Sequence, residues 1–225
     1  MRRAVEFEMH HFVFDAYGTL FDLHAAAERY KDAIGPKWQQ LSQTWRSKHL
    51  EYTWVHSLSG RPTTFWELAC RSLDFATAAA GLSVADSVRQ NLLAAYRTMK
   101  AYPEVAEVLG TLRSRGAKVA ILSNGDPDML EDAVGAAGLA DVLDAVLSVS
   151  AVGVFKPAPQ VYELATTRFA CEAADISFQS SNRWDIAGAK AFGFRTVWVN
   201  RTGAPNEYPD LQPDRTVRDL RGLLS

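Results

Sequence analysis

Several features are scarce in this chain, and each scarcity removes a class of function. Only two cysteines occur, Cys70 and Cys171. Two thiols so far apart build neither a disulfide framework nor a zinc spacing, so buried free thiols in a reducing compartment are expected. The five histidines show no triad or ligand spacing, and His10-His11 is expected at the start of a strand. No apolar run approaches a membrane span, and the N-terminus, with Arg2 and Arg3, offers no stretch that reads as a signal peptide. A cytoplasmic location is the expectation. A large charge excess is also missing. The formal net charge is -2, which argues against a nucleic-acid binder or a partner of anionic membrane surfaces. A small cationic pocket for an anionic substrate remains compatible with it.

The chain is otherwise well supplied for a core. Its 225 residues are 48% hydrophobic and 22% charged, an ordinary globular composition near the limit of a single core. One domain carrying an inserted subdomain is therefore expected. Phe12-Val13-Phe14 runs into Asp15 and a Gly18-Thr19 turn, the pattern of a buried strand that ends in a loop. From about Leu20 to Met99 strand alternation is absent and aromatics are dense. Trp38, Leu41, Trp45, Tyr52 and Val55 recur at helical spacings, and Ser87 to Met99 reads as a further helix. From Pro103 the pattern becomes regular. Helices are predicted over Pro103–Arg115, Pro127–Ala137, Ala158–Phe169 and Asp185–Phe192, with a short one near Leu220. Strands are predicted at Lys118–Asn124, within Val142–Val149, and at Ile176–Ser181 and Thr196–Asn200. Five strands alternating with helices imply right-handed crossovers. The predicted class is α/β: a doubly wound parallel sheet, with residues 1–19 and 100–225 as core and 20–99 as an inserted helical cap.

Four polar clusters follow four of the strands: Asp15 to Thr19, Ser123-Asn124, Lys156, and Ser180 to Asp185. In a doubly wound sheet such loops converge on one edge. Each has a plain structural reading by itself. Asp15 suits a turn, Ser123-Asn124-Gly125 is turn-like, a lysine before Pro157 is usually solvated, and Asp185 suits the first turn of a helix. Their order and spacing make the joint reading functional.

With these residues in view the chain resembles the haloacid dehalogenase superfamily, and within it the L-2-haloacid dehalogenases. The resemblance is carried by Asp15-Ala16-Tyr17-Gly18-Thr19-Leu20-Phe21-Asp22, by Leu122-Ser123-Asn124-Gly125, by Lys156-Pro157 with Tyr162, and by Ser180-Ser181-Asn182-Arg183-Trp184-Asp185. The insert adds Trp45-Arg46 and Leu50-Glu51-Tyr52-Thr53-Trp54. The match spans nearly the whole chain. Asn200-Arg201-Thr202-Gly203 is also family-like and reads as structural. Ser47, Gly153-Val154-Phe155 and Gln179 depart mildly from the family pattern, which leaves chain-length preference open.

The resemblance implies a mechanism. Asp15 attacks C2 of an L-2-haloacid, halide leaves with inversion, and the ester on Asp15 is hydrolysed to a D-2-hydroxy acid. Asp185 would activate the water, with Asn182 and Ser180 orienting these groups. Lys156 would offset the repulsion between two carboxylates, which is about 4 kcal/mol at about 4 Å and an effective dielectric near 20. Arg46, Asn124 and Trp184 match the family's halide cradle. Thr19, Ser123 and Tyr162 match further polar positions, with Ser123 beside the substrate carboxylate and Ala16, next to Asp15, among the substrate-binding positions. Tyr17, Leu50, Phe65 and Trp184 would wall C2 from water. Tyr17 stands where phosphatases of the superfamily carry a second Asp as general acid, so neither an acid nor Mg²⁺ is expected, and no cofactor. The implied substrates are chloro- and bromo-acids, with fluoroacetate an open case, and a homodimer follows from the relatives. Three alternatives stay open: hydrolysis of another activated carbon electrophile by the same nucleophile, a Mg²⁺-dependent phosphatase, and a binding protein on a retired scaffold.

Overall fold

The computed structural model describes residues 10–225. Arg2 and Arg3 lie outside the described residues. Six parallel strands form one sheet: β1 His11–Phe14, β2 Lys118–Ser123, β3 Ala145–Ser148, β4 Ile176–Ser180, β5 Arg195–Val199 and β6 Arg215–Val217. Their spatial order is β3-β2-β1-β4-β5-β6. The sequence predicts five strands. The sixth, at Arg215–Val217, is only three residues long, too short to show a periodicity. The third begins at Ala145, because Ala140–Val142 winds into a 3₁₀ turn first. The interior strands β2 and β4 are buried almost throughout, which matches the apolar run Val119–Leu122 of β2, whereas β4 also buries Ser177, Gln179 and Ser180. Cys70 and Cys171 are free and half-buried, so the expectation of buried thiols is corrected.

Helices α1 Leu23–Glu28, α2 Lys31–Ile34, α3 Trp38–Leu58, α4 Phe65–Ala79 and α5 Asp86–Arg97 all lie between β1 and β2 in sequence. After them come α6 Val105–Ser114, α7 Pro127–Ala136, α8 Pro159–Phe169 and α9 Arg183–Phe192. Local chemistry sets several ends. Thr64 and Glu67 form a capping box on α4. Pro127 and Pro159 occupy first positions of α7 and α8, where a missing N–H costs nothing. Gly193, at φ 112°, closes α9 in a conformation that strongly favours glycine.

The helical block is tied to the sheet at several points. The Asp126 carboxylate, in the loop after β2, accepts the backbone N–H groups of Phe65 (3.1 Å) and Trp66 (2.8 Å) at the start of α4. Arg97 of α5 pairs with Asp128 (2.6 Å) and Asp132 (2.7 Å) of α7. The Phe155 N–H donates to Ser57 Oγ of α3 at 3.0 Å. Chain entry and exit run side by side, since Asp22 N–H bonds the Lys100 carbonyl and Tyr102 N–H the Leu20 carbonyl. These ties hold α3 and α4 above the ends of β1 and β4.

Candidate active site

Strand order reverses where β1 meets β4, and loops that leave those strands diverge to open a crevice. Asp15 stands at that point. Its N–H continues the ladder to the Gln179 carbonyl at 2.9 Å, which fixes its position one residue past β1. The two carboxylate oxygens are treated differently. Oδ2 accepts from Asn182 Nδ2 (2.8 Å), Thr19 Oγ1 (3.0 Å) and Ser180 Oγ (3.4 Å). Among the described residues Oδ1 accepts only from Lys156 Nζ, at 3.2 Å.

Lys156 is 1% exposed and serves two acids, because Nζ also reaches Asp185 Oδ2 at 2.8 Å. Its backbone N–H donates to Asn124 Oδ1 at 3.0 Å, which ties the loop before α8 to the end of β2. Asp185 is fully buried in the first turn of α9, and the Tyr162 hydroxyl of α8 donates to its Oδ1 at 2.8 Å. Burial raises the Asp185 pKa to about 6, with the Asp15 charge adding to the shift and Lys156 and Tyr162 opposing it. Burial, reinforced by the Asp185 charge, also pushes the Tyr162 phenol well above its ordinary value.

The helical block contributes a cation and a wall. Arg46 of α3 donates through Nη2 to Asn182 Oδ1 (3.3 Å) and the Tyr17 carbonyl (3.5 Å), while its buried Nη1 makes no hydrogen bond among the described residues. Asn182 thus bridges Arg46 and Asp15. The Tyr17 ring stacks on Tyr96 (5.5 Å, 18°) and leans on Phe65 (5.6 Å). Its hydroxyl is buried without a partner, and burial raises its pKa well above the usual phenol value. Gly125 permits this placement, since a Cβ there would lie 2.9 Å from the Tyr17 ring.

The expected residues do not all join one network. Asp15, Thr19, Arg46, Lys156, Tyr162, Ser180, Asn182 and Asp185 are linked by hydrogen bonds, and Asn124 joins through the Lys156 N–H. Tyr17 joins only through its carbonyl. Ser123 is buried, and its Oγ accepts from the Gly125 N–H at 3.1 Å. Ala16 is buried as the acceptor of the turn that carries Thr19 to Phe21. Leu50 is half-buried one turn beyond Arg46 on α3. Trp184 is half-buried and edge-on to Trp54 at 5.7 Å.

His49 was set aside on spacing, yet it supports the wall. It is fully buried, with Nε2 donating to the Phe65 carbonyl at 3.0 Å and Nδ1 left to accept from the Tyr96 hydroxyl at 3.2 Å. Burial lowers its pKa to about 3, which keeps it neutral. Its place at helical spacing after Leu41 and Trp45, on the buried face of α3, was the available signal.

A pair of acids is also where a divalent-ion site would begin. Among the described residues no three His, Cys, Asp or Glu side chains converge. The two acids here share an ammonium, and Asn182 turns its NH₂ toward Asp15. This set suits an anion better than Mg²⁺.

Comparison with known proteins agrees with the geometry. Residues 9–193 match the family model described as haloacid dehalogenase-like hydrolase. The chain is 43% identical over 196 residues to (S)-2-haloacid dehalogenase 1 of Pseudomonas sp. strain CBS-3, covering 87% of this chain and 86% of that protein. It is also 43% identical to (S)-2-haloacid dehalogenase 4A of Burkholderia cepacia, covering 94% and 91%. The L-2-haloacid dehalogenase of Xanthobacter autotrophicus, solved with chloropropionic acid covalently bound, superimposes with a TM-score of 0.87 at 36% identity, over 96% of this chain and 97% of that one. With a family match over most of its length and relatives 43% identical, the chain belongs to the haloacid dehalogenase-like hydrolases.

Proposed function

We propose that the protein hydrolyses short L-2-haloacids to D-2-hydroxy acids, with Asp15 as nucleophile and no metal ion. The observation that carries this is the asymmetry of the Asp15 carboxylate. Three donors hold Oδ2, while Oδ1 keeps lone-pair capacity beside Lys156. One oxygen anchors the group and the other is left to attack.

In the first step Oδ1 forms a bond to C2 as the carbon–halogen bond breaks, with inversion. Two cations, Lys156 and Arg46, face two acids, Asp15 and Asp185, so an incoming carboxylate meets a neutral site rather than an anionic one. The departing halide takes its charge toward Arg46, whose Nη1 is without a hydrogen-bond partner among the described residues, and the family resemblance assigns Asn124 and Trp184 to the same task. A halide leaves without a proton, so the general acid that an alcohol would need has no counterpart here. Tyr17, Leu50, Phe65 and Trp184 exclude water during the displacement. In the second step water attacks the ester carbonyl. Asp185, whose pKa burial raises, takes a proton from that water and returns it to the departing oxygen as its bond to the Asp15 carbonyl carbon breaks, so the hydroxy acid leaves and Asp15 is restored as its new carboxyl ionises.

Residues 20–99 act in this reading as a cap subdomain over the site. The chain works in the cytoplasm as a homodimer. Leu58 is 90% exposed and Val55 55% exposed at the far end of α3, which supports an interface there. Incubation with (S)-2-chloropropionate in EDTA tests the reading. Stoichiometric chloride and D-lactate are expected, and no chloride release, or loss of activity on EDTA treatment, contradicts it. Asp15→Asn should abolish turnover, and full activity in that variant would exclude Asp15 as nucleophile.

A further inference from the structure

The helical block joins the sheet through two neighbouring crossings, residues 20–22 and 100–102. They are stitched together. Phe21 bridges Ala101, the Asp22 N–H donates to the Lys100 carbonyl at 3.0 Å, and the Tyr102 N–H donates to the Leu20 carbonyl at 2.9 Å. Arg201, in the loop after β5, spans both crossings. Its Nη2 donates to the Thr19 carbonyl at 2.9 Å, just before the first. Its Nη1 lies 2.6 Å from Oε1 of the buried Glu104, just after the second. Its guanidinium carbon sits 3.8 Å from the centroid of the Tyr102 ring, a contact that orders the plane of the fork.

Thr19 is fully buried between two partners. Its hydroxyl accepts the Ser181 N–H at 2.8 Å, which leaves its proton for Asp15 Oδ2 at 3.0 Å. The aim of that donor depends on the Thr19 backbone, and Arg201 fixes the backbone by its carbonyl. A buried ion pair is weak evidence for stability, since well-packed apolar residues often serve as well. An apolar residue at 201 could not hold the Thr19 carbonyl.

We propose that Arg201 is a positioning residue for hydrolysis of the Asp15 ester: anchored on Glu104 and Tyr102, it grips the Thr19 carbonyl and keeps the Thr19 hydroxyl aimed at Oδ2. This goes beyond the structural reading of Asn200-Arg201-Thr202-Gly203, and it rests on Asp15 as the nucleophile. Once Oδ1 is bonded to C2, Oδ2 is the carbonyl oxygen of the ester. It takes up negative charge as water adds to the carbonyl carbon, and a donor fixed on it beforehand lowers that barrier. In the first step the same oxygen loses charge, so the donor matters less there.

A single turnover of (S)-2-chloropropionate with enzyme in excess, quenched at intervals, separates the two steps when the Asp15 peptide is weighed by mass spectrometry. Arg201→Lys keeps a charge for Glu104 but lacks the fork that also reaches Thr19. It should slow ester decay about tenfold and ester formation by less, with a urea midpoint near that of wild type. A purely structural role predicts the reverse, a lower midpoint with both rates unchanged in the folded fraction. Unchanged ester decay in folded Arg201→Lys overturns the proposal, and so does an equal slowing of both steps. If Arg201→Lys does not fold, Glu104→Gln takes its place, since it loosens the anchor and keeps the guanidinium. Ester decay about threefold slower is then expected, and unchanged decay decides against the proposal. A wild type that never forms the ester overturns the reading of Asp15 itself and the proposal with it. A wild type that forms and loses the ester confines any failure to Arg201.

Discussion

At the ends of β1 and β4 the side chains are short, polar and hydrogen-bonded to one another: Asp15, Thr19, Ser180 and Asn182. On α3 to α5 the side chains turned toward the same loops are mostly rings, with Phe65 and Tyr96 against Tyr17, Trp45 against Tyr96, and the cation Arg46 bonded to the Tyr17 carbonyl. The sheet side is rigid by construction, since its donors sit on strand ends whose backbone is fixed by the ladder. The helical side is held by Asp126, Arg97 and Ser57, three polar attachments to a neighbouring element. The difference separates two tasks. The strand ends position charge, and the helices supply an apolar cover and one group for the leaving ion.

Substitutions on the two sides should therefore behave differently. The largest effect is expected from Lys156→Met. Removing the ammonium leaves two buried carboxylates facing each other, which should cost about 3 kcal/mol or more of stability and reduce turnover by about 10³-fold. Urea unfolding together with halide release measures both, and a stable, active variant would show that the sheet side is not the electrostatic centre. Next comes Arg46→Gln on the helical side. Turnover should fall about 10²-fold with little change in stability, and more for chloride than for bromide, the better leaving group. A stability loss as large as that of Lys156→Met would erase the distinction between the two sides.

Tyr162→Phe sharpens the sheet side further. The Asp185 carboxyl is raised to about 6, so its basic form is lost as pH falls through that value, and ester hydrolysis should fall with it. Because the Tyr162 hydrogen bond lowers that pKa, its removal should move the midpoint upward. The stability sign is opposite to that of an ordinary salt-bridged acid. A carboxyl whose pKa is raised in the folded state destabilises the fold as pH rises from about 4 toward 6. A pH–rate profile for the hydrolysis step checks the shift, and a downward shift would remove Tyr162 as a partner of the ionised form. The smallest effect is expected from Asp126→Ala. Uncapping α4 should cost about 1–2 kcal/mol in urea unfolding and leave kcat nearly unchanged.

The same contrast explains what was legible in the sequence. Two strand ends announce themselves, because Phe14-Asp15 and Leu122-Ser123 switch from apolar to polar at one position. The alternation after Pro103 gave the parallel sheet, and the family motifs named the polar cluster residue by residue. Arg215–Val217 was not legible, since three residues carry no period. Nor was the attachment of the helical block. Asp126 stands directly before Pro127, where an acid ordinarily caps its own helix, yet its side chain makes no cap on α7 and instead caps α4, which begins 61 residues earlier at Phe65. Long-range pairing of this kind leaves no local pattern. His49 was missed for a related reason, since its partners Phe65 and Tyr96 are distant in sequence.

A single turnover in H₂¹⁸O, with enzyme in excess over (S)-2-chloropropionate, tests the central claim most directly. If Oδ1 of Asp15 attacks carbon, the product hydroxyl carries the carboxylate's own oxygen, and the peptide containing Asp15 gains one ¹⁸O from solvent. Heavy oxygen in the product hydroxyl, with an unlabelled Asp15 peptide, would mean that water attacks C2 directly and would contradict the account.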